Sequence, residues 1–547
     1  MQINQLSDNK YLTYSTFLIC VAISIILKLN VLEVGAPFVT IDDNSTYEGG
    51  FLVWFGHPQP QRMYLESWLN GFISILTYVF HQLYHGGSLG VNLVVDAYNH
   101  YVSDPDLYVK SYRFFIIITD LITAFFVLLL SKRVLPINIK YENAPYLISA
   151  LYLLSFNTIW CFVVARPDTL VATFGVIGMY LYYRSSFGSN IRSFYLSAIF
   201  FGLAAGLKLH GAFFVIFIIL DLIRVHGLKK NIGLLLSFSL ISFFMFLVSS
   251  GLLIFDPLLY IKLRYLNYLD DLSPWLNSGD QFLTIASGTG YLVIPLLIVG
   301  IITFIRKQQF KINPQLASII FIAFMWLLLF SSLRQLRAYW MLPVLPLFYI
   351  IAVYALFNLK NKILSRGIYL AVVFILFYQS YQQSKSFTEI PYNQLRHWVE
   401  NNVSSHEKFY IFGYDALFLP QSDESIINIK NGYKKLISDS KNKGDSYTER
   451  HVRFWEERTK LELFDMYNQR PDISYTYYSY YKAPLDHFSN LIGFEEMDYI
   501  LLLDDFVVEG INLDLILKDK YQFVQKAVGP GGGGSGLSYS IYKKKVN

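Results

Sequence analysis

The sequence predicts a mainly α protein: a polytopic transmembrane helical bundle of about eleven spans, N-terminus in and C-terminus out, with a C-terminal extracytoplasmic α/β domain. Three observations lead there. Charged residues make up only 16% of the 547-residue chain, where a soluble domain carries about 25%. Hydrophobic residues reach 54% and mean hydropathy is +0.37, a composition suited to lipid as solvent. The basic residues fall into alternate short loops between apolar runs, as in a chain threaded repeatedly through a bilayer.

Crossing a hydrocarbon core takes about 20 apolar residues per helix. The predicted spans are 13–31, 114–130, 146–164, 170–183, 193–207, 212–223, 233–254, 291–305, 316–333, 339–357 and 368–378. The first run is longer than the apolar core of a signal peptide and no small-residue cleavage site follows it, so it reads as an uncleaved anchor. Alternate loops carry Ser131-Lys132-Arg133 with Lys140, Arg184 with Arg192, Arg224 with Lys229-Lys230, Arg306-Lys307 with Lys311, and Lys360, Lys362 and Arg366. Cytoplasmic loops hold the excess of Lys and Arg, which places all of these inside. The loop 32–110 and everything after 378 then lie outside.

The chain divides into a membrane domain, 1–378, and an extracytoplasmic domain, 379–547. In the first outer loop, Tyr64-Leu65-Glu66-Ser67-Trp68-Leu69-Asn70 suits an interfacial helix within the stretch 62–80. A second outer loop, 256–282, opens on Asp256 and contains Asp270-Asp271 and Asp280. The tail is more polar. It has strand-like runs at 409–412, 499–503 and 538–542 and helix-like periodicity at 393–401 and 451–467, the signature of a small α/β domain. Gly531 to Gly536 reads as a hairpin loop inside it.

The net charge of +5 reflects the inside loops and gives no sign of nucleic-acid binding. Cys20 and Cys161 both sit in apolar segments, without metal-ligand spacing or a disulfide framework. No Gly-Lys-Ser/Thr phosphate loop, His-Glu-x-x-His or paired-Cys motif occurs, so neither a nucleotide-driven pump nor a built-in zinc site is indicated.

Candidate chemistry gathers at the outer edges of the spans. Asp42-Asp43 follows the first span by about ten residues. Adjacent carboxylates near lipid raise one another's pKa and suit a general base acting on an alcohol or amine. Taken alone, Asp42-Asp43-Asn44-Ser45 is also ordinary turn composition. A stiff Gly56-His57-Pro58-Gln59-Pro60 element follows a predicted short helix over 46–55. His57 there is by default a structural hydrogen-bonding residue and otherwise, with Asp256, a substrate-loop candidate. Arg334 and Arg337 run against the positive-inside trend, and a guanidinium binds phosphate in a bidentate way. Snorkelling to the interface is their plain alternative. Arg166, in Arg166-Pro167-Asp168, and Lys208, with His210, complete the outer-edge cations. For these, structural and phosphate-binding roles weigh evenly.

The acid pair, the His-Pro element, Arg166-Pro167-Asp168, Gly202-Leu203-Ala204-Ala205-Gly206-Leu207-Lys208 and Arg337-Ala338-Tyr339-Trp340-Met341-Leu342-Pro343, in that order, resemble the C superfamily of membrane glycosyltransferases (GT-C). The nearest branch is glycosyltransferase family 39, with protein O-mannosyltransferases and lipid A aminoarabinose transferases as relatives. The resemblance covers the membrane domain; the tail matches in position only. It implies a polyprenyl-phosphate-linked sugar donor and inverting transfer to a glycolipid, glycan or protein on the non-cytoplasmic face, and the external C-terminal domain without an endomembrane retention signal points to a bacterial plasma (inner) membrane. Asp42 would be the general base. The family's second acid is Glu, and this chain has the shorter Asp43. Arg337, with Arg334, would hold the departing phosphate, supported by Lys208 and Arg166. Some relatives use a divalent metal, a point the sequence leaves open.

Two rivals are a lipid or glycan transporter (a flippase) and a non-catalytic envelope assembly protein. A transporter would show discontinuous helices or an internal repeat, and the sequence shows neither.

Overall fold

The computed structural model describes residues 10–32, 68–103, 105–136, 142–163, 166–227, 232–250, 278–331, 338–388, 391–412, 422, 424–425, 427, 476–479, 497–504, 513–528 and 538–545. Among these, the helices in chain order are α1 (Lys10–Leu32), α2 (Trp68–Tyr84), α3 (Leu93–Ser103), α4 (Pro105–Val134), α5 (Ala144–Leu153), α6 (Phe156–Val163), α7 (Asp168–Arg184), α8 (Ile191–Leu207), α9 (Ala212–His226), α10 (Ile232–Ser249), α11 (Ser278–Thr289), α12 (Val293–Arg306), α13 (Pro314–Ser331), α14 (Leu345–Asn358), α15 (Lys362–Thr388) and α16 (Pro391–Asn402). Strands β1 (Lys408–Phe412), β2 (Thr476–Ser479) and β3 (Tyr499–Leu503) follow, then α17 (Leu513–Lys520), β4 (Tyr521–Val528) and β5 (Ser538–Lys544). Two compact units emerge: 1–32 with 113–384, and 33–112 with 385–547.

Each predicted span contains helix over its described residues, and two of them are interrupted. Among the described residues, five helices are long and apolar enough to cross a membrane, and up to seven if each of two bent pairs counts as one span. The bends are differences from the sequence reading. The predicted span 146–164 is α5 and α6, turned by 41° at Leu154-Ser155. Polar side chains drive that break: the Ser155 hydroxyl accepts from the Asn157 amide at 3.2 Å, and the Thr158 hydroxyl donates to the Ser155 carbonyl at 2.7 Å. At the second bend α11 and α12 meet at 92°, with Gly290 at φ +92° in the turn. The run predicted as one span over 339–357 is a 3₁₀ turn, Ala338–Met341, followed by α14, with Pro343 and Pro346 at the junction. Helix discontinuity, which the sequence did not reveal, is therefore present.

The helical unit has one apolar core centred on α5, α7, α8, α13 and α14, with Trp326 fully buried among Phe213, Phe214, Phe217 and Phe330. Close helix approach is set by small residues. A Cβ on Gly202 would lie 2.4 Å from the Ser242 carbonyl oxygen, and Ser242 in turn donates to the Ala198 carbonyl, joining α8 to α10.

Polar contacts identify the two ends of this unit. At one end Tyr14 of α1 meets Tyr146, the Lys132 ammonium lies 5.1 Å from the Tyr146 ring, and Arg133 donates to the Tyr183 carbonyl and the Ser186 hydroxyl. These are helix ends that the charge rule assigned to one side. At the other end the buried Arg113 donates to the Val163 carbonyl at 3.0 Å and the Val31 carbonyl at 3.5 Å. The exit of α1 and the exit of α6 are thus tied together. Asp168 and Tyr183 of α7 are separated by fifteen residues, about 22 Å of helix.

In the second unit the sheet order is β2-β1-β3-β5-β4. The β1/β2 and β1/β3 pairs are parallel, and β3/β5 and β4/β5 are antiparallel. β3 is buried along its whole length, as its unbroken Tyr-Ile-Leu-Leu-Leu run requires. The strands predicted at 409–412, 499–503 and 538–542 and the helix at 393–401 are present, while 451–467 lies outside the described residues. β2, α17 and β4 were not anticipated. Among the described residues of 33–112, His81 packs against His85 and His100, with ring centroids 4.4 and 4.5 Å apart.

Candidate functional site: a cation cluster on an aromatic floor

The site is built at the Arg113 end of the helical unit by two helix ends and a 3₁₀ turn. The first element is the entry to α7. Pro167 holds φ at −66° ahead of the helix, and Asp168 occupies its first turn, where the positive end of the helix dipole favours a carboxylate. The second is the exit from α8. Lys208 leaves the helix in an extended conformation, φ −159° and ψ 135°, and the chain turns through Leu209–Gly211 into α9. That turn needs a residue without a side chain at Gly211, since a Cβ there would sit 2.2 Å from the Ala204 carbonyl oxygen. The third is the turn Ala338–Met341, which presents Tyr339 and Trp340.

These elements bring four polar side chains together. The Lys208 ammonium donates to both oxygens of Asp168, at 2.8 and 2.9 Å. His210 Nε2 lies 3.7 Å from Asp168 Oδ1, and the positive field of Arg166 reaches the same carboxylate. Asp168 is fully buried, and Arg166 and Lys208 are nearly so. The guanidinium carbon of Arg166 stands 4.4 Å from the centre of the Tyr339 ring. Lys208 Nζ is 5.4 Å from the same ring and 5.6 Å from that of Trp340. Trp160 stacks parallel to Tyr339, at 7° and 6.2 Å between centroids. His210 in turn faces the edge of Trp326. Such faces attract cations while leaving their charge uncancelled.

Among the described residues, a guanidinium, an ammonium and an imidazole gather around the Asp168 carboxylate in a buried setting. A cluster of this composition suits an anion with several acceptor oxygens, above all a phosphate, for which a guanidinium and an ammonium supply charge-assisted donors.

Of the residues singled out by sequence, Arg166 and Lys208 are brought together here. Asp42, Asp43, His57, Asp256, Arg334 and Arg337 lie outside the described residues; Arg337 directly precedes the Ala338–Met341 turn in sequence. The Asp168 carboxylate is gripped by Lys208, 40 residues away. Sequence reasoning passed over the aromatic floor of Trp160, Tyr339 and Trp340, and named His210 without a role. The signal available was the Tyr-Trp pair at the edge of an apolar run. Among the described residues, no group of three His, Cys, Asp or Glu side chains is placed to hold a metal ion. Cys20 and Cys161 are buried free thiols.

No protein-family model matches the chain, and no curated protein matches it. Solved structures do. ArnT from Cupriavidus metallidurans bound to undecaprenyl phosphate is similar with a TM-score of 0.51 and 10% identity, over 96% of this chain and 97% of that one. The archaeal oligosaccharyltransferase AglB from Archaeoglobus fulgidus, in complex with an inhibitory peptide and a dolichol-phosphate, gives 0.47 and 11%, over 97% and 74%. Arabinofuranosyltransferase AftD from Mycobacteria gives 0.40 and 11%, over 97% and 40%. The likeness to ArnT is one of fold: the chain has the GT-C fold.

Proposed function

We propose that this protein is an integral membrane glycosyltransferase that moves a sugar from a polyprenyl-phosphate-linked donor to an acceptor on the extracytoplasmic side of a plasma membrane. The observation that carries this reading is the gathering of Arg166, Lys208 and His210 around Asp168, set on aromatic rings within a GT-C fold. ArnT, the neighbour of like fold, binds undecaprenyl phosphate, an anionic group on a lipid. The same class of ligand answers the composition of the cluster here.

In this mechanism the acceptor oxygen or nitrogen attacks the anomeric carbon from the face opposite the phosphate, with inversion. Asp42, with Asp43 beside it, takes the acceptor's proton. The anomeric carbon–oxygen bond breaks and its electron pair passes to the phosphate oxygen. Arg166 and Lys208, joined by Arg337 and Arg334, stabilise the charge that develops there. Lys208 is poised because Asp168 holds its ammonium in place before substrate arrives. His57 and Asp256 are assigned to the acceptor-side loops. The acceptor is a glycolipid, a polysaccharide or a protein. The steps run through side chains alone, and a divalent metal, if one is used, would have its ligands outside the described residues.

The transporter reading loses its simplest discriminator, since bent helix pairs are present. Purified full-length protein in lipid nanodiscs, given a panel of polyprenyl-phosphate sugars, separates the three readings. A transferase releases polyprenyl phosphate when an acceptor lipid or glycan is supplied. Asp42→Asn should lower turnover by about 10² to 10⁴ with donor binding retained. Donor binding without sugar release under any acceptor would favour a flippase, and no donor binding at all would favour an assembly protein.

A further inference from the structure

The bend between α5 and α6 redirects a defined set of backbone groups. In an unbroken helix the Asn157 and Thr158 amides would donate to the Leu153 and Leu154 carbonyls. Here the Asn157 amide donates to the Ser155 hydroxyl at 3.2 Å and the Thr158 amide to the Ser155 carbonyl at 3.0 Å. The two carbonyls released in this way belong to residues of the apolar core, where an unsatisfied acceptor is costly. Each is met from another helix. The Ser24 hydroxyl of α1 donates to the Leu153 carbonyl at 2.9 Å, with the Thr158 hydroxyl beside it at 3.2 Å. The Ser380 hydroxyl of α15 donates to the Leu154 carbonyl at 2.8 Å. Ser24, Ser155, Asn157, Thr158 and Ser380 are all buried. A second hydroxyl of α15, Ser384, donates to the Leu27 carbonyl, so α1 and α15 are joined to each other as well.

Beyond the bend, α6 bears on the candidate site at three points. Asn157 Nδ2 donates to the Gly288 carbonyl at 2.8 Å, and a Cβ on Gly288 would stand 2.8 Å from the Ala338 carbonyl oxygen. Through Gly288, α6 thus reaches the turn that presents Tyr339 and Trp340. One helical turn on, Trp160 lies parallel to Tyr339. Near the end of α6 the Cys161 carbonyl accepts from the Arg166 amide at 3.0 Å. The angle of α6 therefore sets where the aromatic floor and the Arg166 backbone stand.

We infer that this break is a fixed joint and that Ser24 and Ser380 are positioning residues of the phosphate site. By taking the carbonyls that the bend releases, they hold α6 at the angle that stacks Trp160 on Tyr339 and places Arg166. Their hydrogen bonds go to the joint, so they act through α6. The inference rests on the proposed reading of the site and adds to it the device that keeps the site in shape. In a transporter, carbonyls freed at a helix break face the transported ion or substrate. Here hydroxyls of the protein itself occupy them.

The test measures farnesyl phosphate binding and thermal unfolding of the full-length protein in nanodiscs. Ser380→Ala should weaken binding about threefold, and Ser24→Ala with Ser380→Ala about tenfold, since each lost bond to a buried carbonyl loosens α6. Ser380→Thr keeps the hydroxyl and should bind as wild type. The comparison is Ser149→Ala, which removes an equally buried hydroxyl of α5 that donates to the Ala124 carbonyl at 2.7 Å, ahead of the bend. It should lower the unfolding temperature as much as Ser380→Ala and leave binding unchanged. A folded double variant that binds as wild type overturns the inference while leaving the phosphate site standing. So does an equal loss of binding in Ser149→Ala or in Ser380→Thr. Should the double variant fail to fold, Ser380→Ala alone decides in the same way. Wild type that binds no farnesyl phosphate overturns the reading of the site together with the inference.

Discussion

Two buried lysine–aspartate pairs in the helical unit look alike and do different things. Lys28 of α1 and Asp120 of α4 meet at 2.5 Å, and the second Asp120 oxygen accepts from the Tyr152 hydroxyl at 3.3 Å. One cation faces one carboxylate, both buried, and a phenol completes the set. Lys208 and Asp168 meet just as closely, but Arg166 and His210 stand beside them. Among the described residues, the first pair sets one cation against one carboxylate, and the second has further basic groups around its carboxylate. A third cluster behaves like the first: Asp221 is enclosed by Arg224, Tyr182 and Ser318. Buried charge recurs in this unit, and of these three carboxylates Asp168 has the most basic groups around it among the described residues.

The comparison can be broken by mutation, starting with the closed pair. Lys28→Met leaves Asp120 buried with no cation and should cost about 3–5 kcal/mol of stability, read as a loss of folded yield and a lower unfolding temperature. Lys28→Met with Asp120→Leu should recover most of it, and the molecules that do fold should keep full turnover. Were turnover lost in the recovered double variant, this pair too would be functional and the distinction would fail.

Lys208→Met should act in the opposite sense. Arg166 and His210 still face Asp168, so stability falls less, while turnover should drop about 10²- to 10³-fold with loss of a donor to the developing phosphate charge. Steady-state sugar transfer beside thermal unfolding would show it. A smaller effect is expected from Tyr339→Leu, which removes the ring beneath Arg166 and Lys208. Cation–π contacts contribute about 0.5–2 kcal/mol, so donor binding should weaken by a few-fold to about thirtyfold, measured as KM or direct binding, with the fold intact.

The smallest effect concerns the C-terminal sheet. Burial alone would raise the Asp504 carboxyl, but hydrogen bonds from Lys526, Ser538 and Ser540 outweigh it and hold it below its ordinary value. Glu407 behaves likewise, with burial outweighed by Ser404, Tyr499 and Lys543. A carboxylate lowered in this way adds stability that is complete above its unfolded pKa and disappears as pH falls through the folded one. The sheet should therefore loosen below about pH 4 and be indifferent to pH from 5 to 8. Asp504→Asn should flatten that acid limb in amide hydrogen exchange of β3 and β5.

Much of this was legible in the sequence because hydropathy and loop charge are local signals. Each predicted span contains helix over its described residues, with 146–164 and 339–357 interrupted, and Lys132, Arg133 and Arg224 fall at helix ends as the alternation of loops required. Arg166 and Lys208 were visible as outer-edge cations. What the sequence hid was long-range. The partner of Lys208 is 40 residues away in Asp168, and the floor beneath both cations comes from Tyr339, over 100 residues further on. The bends were hidden for another reason. At Leu154-Ser155 no Pro or Gly marks the break, which comes from two small polar side chains, Ser155 and Thr158, competing with helix hydrogen bonds. Lys28 and Asp120 could have been found: each is an ionisable residue inside an apolar run, and such a residue calls for a partner. The short strand β2 is only four residues, Thr476–Ser479, and is paired in parallel with β1, a long-range contact that its own sequence does not signal.

The most direct measurement is a cryo-electron microscopy structure of the full-length protein in nanodiscs with a polyprenyl phosphate bound. The account predicts phosphate density within hydrogen-bonding reach of Arg166 and Lys208, beside Tyr339, with the lipid tail leading away from Asp168. Phosphate seated at another cation cluster, with the Lys208–Asp168 pair undisturbed and nothing beside it, would contradict the account.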